Sequence, residues 1–250
     1  RWLLRKGRVK ECEAMMIKLF GEPVVFDEEA PQETRFLQLF NRRHFPFVLF
    51  VAAIWTCQVI PMFAIYTFGP QIVGLLGLGA GKSAALGNVV ISLCFMLGCI
   101  PPMFWLNSAG RRPLLIGSFI MMTLALAVLG LIPDMGAWLV VLAFAVYAFF
   151  SGGPGNLQWL YPNELFPTDI RASAVGVIMS LSRIGTIVST WALPVFITKY
   201  GISNVMLMGA GISLIGLLVS IAFAPETRGL TLAQTSQMTI RSKPVTRAGY

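Results

Sequence analysis

Six apolar stretches, each long enough to cross a lipid bilayer, constrain the fold of this chain more than any other feature. A helix that spans the hydrocarbon core needs about 20 mostly apolar residues. Backbone N–H and C=O groups find no water there, so a spanning segment has to bond its own backbone groups, as a helix does. The expected fold is an all-α integral membrane bundle with helices at residues 45–68, 83–106, 114–132, 138–160, 172–196 and 204–224.

The low charge of the chain supports a membrane setting. Only 12% of residues are charged and 56% are hydrophobic, whereas about a quarter of an average soluble domain is charged. A water-exposed surface needs more charge than this, so an ordinary soluble domain is excluded. The net charge of +8 does not indicate a nucleic-acid partner, because the positive residues lie beside the apolar stretches and mostly on one side of the implied membrane.

The distribution of Lys and Arg predicts the orientation of the bundle. Sixteen of the nineteen lie on one side of the six stretches, and only Lys82 and Lys199 lie on the other. Positive residues are retained on the cytoplasmic side, so both termini are expected there. Residues 1–44 are then a cytoplasmic helical segment and residues 225–250 a cytoplasmic tail. The chain begins at Arg1 without a Met, which favours a piece of a longer protein.

Arg183 is the nineteenth positive residue, and it lies inside the fifth apolar stretch. Eleven residues into a helix correspond to a depth of about 16 Å, near the centre of the membrane. An Arg at that depth costs at least about 2.5–3.5 kcal/mol unless it faces water or a partner. Helical spacing places four hydroxyl residues on roughly the same face: Ser173, Ser180, Thr186 and Thr190.

The six stretches contain no Asp or Glu that could neutralise Arg183. Its counter-charge is therefore a ligand, backbone carbonyl groups, or an acid elsewhere in the protein. Because a guanidinium group binds a carboxylate through two parallel hydrogen bonds, we expect Arg183 to bind an anionic substrate. The alternative is that Arg183 only braces neighbouring helices through hydrogen bonds.

Residues that disrupt helices occur in both the first and the fourth stretch. Pro61 lies in the first, and Gly152, Gly153 and Pro154 lie in the fourth. If the six helices are two inverted triplets, these stretches correspond, and interrupted helices at matching positions indicate a binding site. The alternative is that Gly and Pro, which are common in membrane helices, serve packing.

Amide and indole side chains near these positions are the other candidate ligands for a substrate. Gln58, Asn156 and Gln158 can bind hydroxyl or carbonyl groups, and Trp159 offers an apolar platform. The alternative for Trp159 is a place in the aromatic belt at the membrane surface.

Covalent chemistry is not indicated anywhere in the chain. The sequence lacks paired acids, a Ser/His/Asp set and a phosphate-binding loop, so no catalytic residue and no cofactor are expected. The four cysteines have no metal-ligand spacing and are expected to be small buried apolar residues.

Four loop motifs, in order and on the predicted cytoplasmic side, resemble the major facilitator superfamily, in its branch of sugar porters and organic-ion transporters. The resemblance covers essentially the whole chain and extends to bacterial inner-membrane metabolite transport proteins. The motifs are RWLLRKGR at residues 1–8, GRRP at 110–113, NELFPTDIR at 163–171 and PETRG at 225–229.

The resemblance implies a transporter of twelve helices that works by alternating access. This chain would be its C-terminal half, three plus three inverted helices, and a six-helix N-terminal half would be its partner. The resemblance also implies a cytoplasmic charge network that forms in the outward-open state and opens in the inward-open state. Ordinary positive-inside charge and loop capping are the alternative reading of these residues, which are Arg111, Arg112, Glu164, Arg171 and Glu226.

The sequence departs from the sugar porters where those bind sugar. They carry two Gln and a later Asn on this span, whereas the matching positions here are Cys57, Gln58 and Phe63. Residues 182–185 (SRIG) instead resemble an element of organic-ion and aromatic-acid transporters. The resemblance therefore implies a small carboxylate as substrate and protons as the coupling ion. A sugar or polyol carrier, a transporter-like receptor, and a half that is inactive without its partner remain alternatives.

Overall fold

The computed structural model describes residues 11, 15, 39–42, 44–73, 82–106, 110–132 and 136–227. These residues are helical with short connections and contain no strand, as an all-α fold requires. Most of the predicted helical segment 1–44 and the tail beyond residue 227 lie outside the described residues. The helices are α1 (Phe45–Val73), α2 (Lys82–Gly98), α3 (Ile100–Trp105), α4 (Arg111–Leu131), α5 (Ala137–Leu165) and α6 (Thr168–Phe223).

Helix α6 is long enough to cross a membrane twice. Its apolar part, Ile170–Phe223, has 54 residues, which would measure about 80 Å as one straight helix against a hydrocarbon core of about 30 Å. At Gly201 the backbone leaves the helical region, with φ 78° and ψ 163°. A residue with a side chain rarely adopts this φ, so glycine permits the reversal. Residues 168–200 (α6a) and 202–223 (α6b) are therefore two spans.

Packing between α4 and α6b gives the direction in which α6b runs. Gly130, late in α4, lies against Leu207, early in α6b. Phe119, earlier in α4, lies against Gly216, later in α6b. Residue numbers rise along one helix as they fall along the other, so the two helices are antiparallel.

The start of α1, the start of α4, the end of α5 and the segment after α6b meet at one end of the bundle. The ring of His44, before α1, lies 6.4 Å from that of Phe166, after α5. Arg111, at the start of α4, bonds to Glu164 on α5 and, through its backbone N–H, to Glu226 beyond α6b. This arrangement agrees with six crossings, and we call it the charged end.

Large apolar side chains cover the outside of the bundle. Trp138 is 86% exposed and Trp191 is 78% exposed, and long apolar side chains along α2, α4 and α6 are similarly uncovered. Soluble proteins rarely expose contiguous apolar surface of this kind, so lipid or another membrane protein has to cover it.

Several helix boundaries differ from the prediction. Helix α1 continues to Val73, and α5 continues to Leu165. The second span divides at Cys99, because Pro101 and Pro102 open a new helix, α3, where their missing N–H groups are not needed. The predicted connector at residues 197–203 is helical except at Gly201.

The predicted interruptions of the first and fourth spans are not found. The helix runs unbroken through Pro61 and through Gly152, Gly153 and Pro154. The glycines serve close packing instead. A Cβ atom on Gly152 would lie 2.4 Å from the backbone of Gly98, so α2 and α5 touch through their main chains. Small residues permit such approaches in membranes, where packing replaces the hydrophobic effect between helices.

This contact predicts that Gly152→Ala destabilises the purified protein. The added methyl group would meet backbone atoms of Gly98 and force α2 and α5 apart, and overpacking of this kind costs about 1–3 kcal/mol. Gly117→Ala is the matched control, because no atom lies within 4 Å of a Cβ there. Thermal unfolding in detergent should show a lower midpoint for Gly152→Ala alone. Equal midpoints for the two variants would contradict this contact.

Candidate functional site

Arg183 lies on α6a with its side chain exposed on the surface of the bundle. It is about 20 Å along α6a from Ile170, the first apolar residue of that helix, and therefore lies deep within the span. Among the residues that the structure describes, no carboxylate lies within ion-pair distance of it. The expectation of an intramembrane guanidinium without an acidic partner therefore fits this part of the chain.

Phe63 is the close neighbour of Arg183. The guanidinium carbon lies 5.3 Å from the centroid of the phenyl ring, which is the distance of a cation–π contact. An aromatic ring attracts the cation but accepts no hydrogen bond of ordinary strength. The N–H donors at the edge of the guanidinium therefore stay available to a carboxylate.

The spacing predicts that the hydroxyl residues of α6a lie on the same face as Arg183. In the structure they do not all share its exposed face. Ser180 is exposed, but Thr186 is buried among the helices. Both hydroxyls donate to carbonyl groups of their own helix, Ser180 to Gly176 at 2.8 Å and Thr186 to Ser182 at 3.0 Å. Thr186 is therefore a packing residue in this conformation.

Gln58 lies inside the bundle, with 1% of its surface exposed. Its Nε2 donates to Ser151 Oγ at 3.1 Å and joins α1 to α5. Its Oε1 is buried and has no hydrogen-bond partner among the described residues. Gln58 is thus a bridge between helices here, and a substrate would reach it only after a rearrangement.

Two further predicted amides lie on α5. Asn156 Nδ2 donates to the Cys99 carbonyl oxygen at 2.8 Å and ties α5 to the junction of α2 and α3. Gln158 is half-buried, and its Oε1 has no partner in the described part of the chain. Among the described residues, neither amide forms a hydrogen bond with Arg183.

Trp159 is 49% exposed and packs edge-on against Trp55, with ring centroids 4.9 Å apart. Trp55 is buried and lies eight residues before Phe63 on α1, which is about 12 Å along the helix axis. The structure therefore supplies two separate aromatic positions on the bundle surface, Phe63 beside Arg183 and Trp159 nearer the charged end.

Two members of the predicted charge network form an ion pair at the charged end. Arg111 Nη2 bonds to Glu164 Oε1 at 2.8 Å, and only 12% and 13% of these two side chains are exposed. The carboxylate of Glu226 accepts the backbone N–H groups of Arg111 at 3.0 Å and of Arg112 at 3.1 Å. Glu226 thereby satisfies the open N-terminus of α4, where an anion is favoured by the helix dipole.

The remaining two arginines of the network bind carbonyl groups. Arg112 Nη2 donates to the Ile221 carbonyl at 2.8 Å, which ties α4 to the end of α6b. Arg171 donates from Nε and Nη2 to the Phe166 carbonyl at 3.2 and 3.1 Å and fixes the turn between α5 and α6a. Both side chains therefore hold helix ends.

Sequence reasoning missed three members of this end. Thr227 Oγ1 donates to Glu164 Oε2, and the Tyr161 hydroxyl donates to the Pro225 carbonyl at 3.2 Å. Gly110 has φ 94°, and a Cβ atom there would lie 2.6 Å from Glu226 Oε2. Gly110 and Thr227 were visible within the loop motifs, but their partners are distant in sequence.

The geometry predicts that Gly110→Ala dislodges Glu226 from the start of α4. A side chain at this φ costs about 1–3 kcal/mol, and the new methyl group would also collide with the carboxylate. Thermal unfolding of the purified protein should therefore shift to lower temperature.

Gly136→Ala is the matched control for that change. Gly136 also precedes a helix, α5, but its φ is −59° and no atom lies within 4 Å of a Cβ. The control should unfold like the unmodified protein, and a loss as large as that of Gly110→Ala would count against the capping role of Glu226.

Comparison with known proteins gives one family and several relatives. The family described as "Sugar (and other) transporter" matches residues 1–239. The metabolite transport protein YaaU of Escherichia coli (strain K12) is 89% identical over 97% of this chain and 55% of its own length. The inner membrane metabolite transport protein YgcS of the same organism is 32% identical over 93% of this chain and 52% of its own length.

A solved structure gives the same picture of the fold. The proton:xylose symporter XylE, bound to 6-bromo-6-deoxy-D-glucose, aligns with a TM-score of 0.63 at 18% identity, over 94% of this chain and 52% of that one. At this identity the likeness concerns the fold alone. The chain spans about half the length of these relatives.

Proposed function

The chain belongs to the sugar (and other) transporter family of the major facilitator superfamily, and on this premise we propose that the full-length protein is a secondary transporter of a small organic carboxylate, coupled to protons. The resemblance inferred from the loop motifs is confirmed by the family match. The family consists of transporters rather than enzymes, in agreement with the lack of catalytic motifs.

Arg183 carries the proposal of an anionic substrate. It is exposed on α6a, deep within the span, and its described neighbour is the ring of Phe63 and not an acid. A charge at this depth is costly in lipid, so its position requires a wet cavity or a partner with negative charge. A substrate carboxylate satisfies that requirement and brings its own counter-charge to the site.

The amides support a carboxylate over a sugar. Gln58 bonds to Ser151, and Asn156 bonds to the backbone of Cys99. A sugar site needs several donors and acceptors for hydroxyl groups. These two amides already have internal partners, so recognition by Arg183 requires less rearrangement.

One observation favours a neutral sugar or polyol as the second candidate. Trp159 presents about half of its surface outside the bundle, and an indole face suits the apolar face of a sugar ring. Such a carrier would use Trp159 and would not depend on the charge of Arg183.

The charged end is the proposed gate. Arg111 with Glu164, and Glu226 with the start of α4, tie α4, α5 and the segment after α6b together. In alternating access these bonds would hold the cytoplasmic side closed and part when it opens. Because each bond is worth only a modest energy, a few of them suit two states separated by a few kcal/mol.

The partners and the location follow from the same premise. A six-helix N-terminal half would complete the carrier and line the other side of the cavity, and the bilayer would cover the rest. Because basic residues are enriched on the cytoplasmic side of membrane proteins, we infer that the charged end and both termini face the cytoplasm and that the bundle lies in a bacterial inner membrane. No acid lies within the six spans of this chain, so the proton-coupling carboxylate would belong to the other half.

Arg183→Gln should abolish or strongly weaken transport of the anion. Substrates are first found by thermal-shift screening of the full-length protein against small carboxylates, polyols and hexoses. Loss of a hydrogen bond to a charged group costs about 1.5–3 kcal/mol, so uptake at low substrate concentration should fall at least about tenfold. Arg183→Lys should lose less, because it keeps the charge but not the planar fork.

Lys199→Gln provides the control for a lost positive charge. Lys199 is also exposed and also lies over a ring, that of Tyr200 at 5.4 Å, but it is at the far end of α6a. Its replacement should leave uptake unchanged. If Arg183→Gln transports as well as Lys199→Gln, or if only polyols and hexoses stabilise the protein, the carboxylate proposal fails.

Proteoliposomes can test the coupling and the class of protein together. We expect an inward proton gradient to raise the accumulation of the carboxylate, and we expect preloaded vesicles to show counterflow without a gradient. Counterflow without any effect of the gradient would indicate a facilitator. Binding with neither activity would indicate a receptor.

A further inference from the structure

A cavity of about 400 Å³ lies in the half of the bundle away from the charged end. Parts of α1, α4, α6a and α6b line it, among them Ile60, Leu126, Ala192 and Met206. On α6a the lining begins at Gly185, about 20 Å along the helix from Ala172. The cavity is therefore at hydrocarbon depth, nearer the far membrane surface.

The cavity lies behind the helix that carries Arg183. Successive residues of an α-helix are rotated by about 100°, so Gly185, Val188 and Ala192 point about 140–200° away from Arg183. All three line the cavity, and Arg183 does not. The proposed substrate site and this cavity are thus on opposite faces of α6a.

The lining excludes polar ligands. Its one hydroxyl, that of Ser189, donates to the Thr186 carbonyl at 2.9 Å, and every other lining side chain is apolar. Apolar cavities bind apolar guests, because a water molecule would lose its hydrogen bonds there. The lining therefore favours a hydrocarbon occupant.

The opening of the cavity indicates where the hydrocarbon comes from. Val188 on α6a is 60% exposed and Met208 on α6b is 47% exposed, whereas Leu126, Leu193 and Met206 are buried. The cavity therefore opens between the two halves of α6, and its rim continues into the apolar outer surface of the bundle. At this depth the medium outside is lipid tails.

We propose that an acyl chain of a bilayer phospholipid inserts between α6a and α6b and occupies this cavity. An empty space of this volume would leave its lining without contacts, which is unfavourable in a close-packed interior. The chain enters from a continuous hydrocarbon phase and supports α6a from the side opposite Arg183. This site does not depend on the proposed transport activity.

Photo-crosslinking can locate the chain. The full-length protein is placed in nanodiscs with a phospholipid that carries a diazirine in the outer half of one acyl chain, and adducts are mapped by mass spectrometry. We expect adducts on cavity residues such as Met206 and Ala192, above the labelling of buried core residues such as Phe119, which do not line the cavity.

Two variants fill the cavity from different helices. Ala192→Phe fills it from α6a, and Gly209→Leu fills it from α6b, so a folding defect in one leaves the other. Both should lose the adducts at Met206. Val195→Phe is the control, because Val195 is 56% exposed on α6a and does not line the cavity. It should keep those adducts.

Three results would overturn the proposal. The first is that the cavity residues are labelled no more than Phe119. The second is that the adducts at Met206 persist in the folded Ala192→Phe and Gly209→Leu variants. The third is that a photoactivatable free fatty acid labels the cavity while the phospholipid does not. The last result would show a fatty-acid site and not a place for a membrane lipid. None of these readouts depends on the substrate, so they are independent of the test of Arg183.

Discussion

The absence of water within the bilayer is the constraint on which this structure depends. Every described spanning segment bonds its own backbone, and several polar side chains inside the bundle do the same. Ser180, Thr186 and Ser220 return their hydroxyl groups to carbonyls of their own helices, and Gln58 is paired across to Ser151. Arg183 differs from these residues, since it keeps its charge on the surface of the bundle beside the ring of Phe63. Its charge and exposure separate Arg183 from the scaffold.

Close packing of small residues holds the helices together, because the hydrophobic effect between helices is weak in a membrane. Gly98 and Gly152 bring the backbones of α2 and α5 together, and Gly216 admits the ring of Phe119 between α4 and α6b. In contrast, α6a and α6b diverge enough to leave the apolar cavity behind Arg183. The helix that carries the candidate ligand-binding residue therefore borders this cavity on its back.

The sequence predicts the parts of this structure that depend on local pattern. Six spans follow from the length of the apolar stretches, and the meeting of Arg111, Glu164 and Glu226 follows from loop motifs on one side. Pairing across helices is not a local property. The rotation of α1 decides that Gln58 turns inward, and the partner of Gly152 is 54 residues away, so neither could be read from the chain alone. The unbroken helix at residues 197–200 arises because nothing there disrupts it before Gly201.

The bond between Glu226 and the start of α4 also has a consequence for biosynthesis. The two partners are separated by 115 residues, so the first N–H groups of α4 leave the ribosome long before their acceptor exists. At a translation rate of about 5–20 residues per second, the delay is on the order of 6–23 s. During that interval the nascent α4 has to rely on interfacial water or on the insertion machinery. The N-terminus of α4 is therefore capped by Glu226 only after α6b has been synthesised.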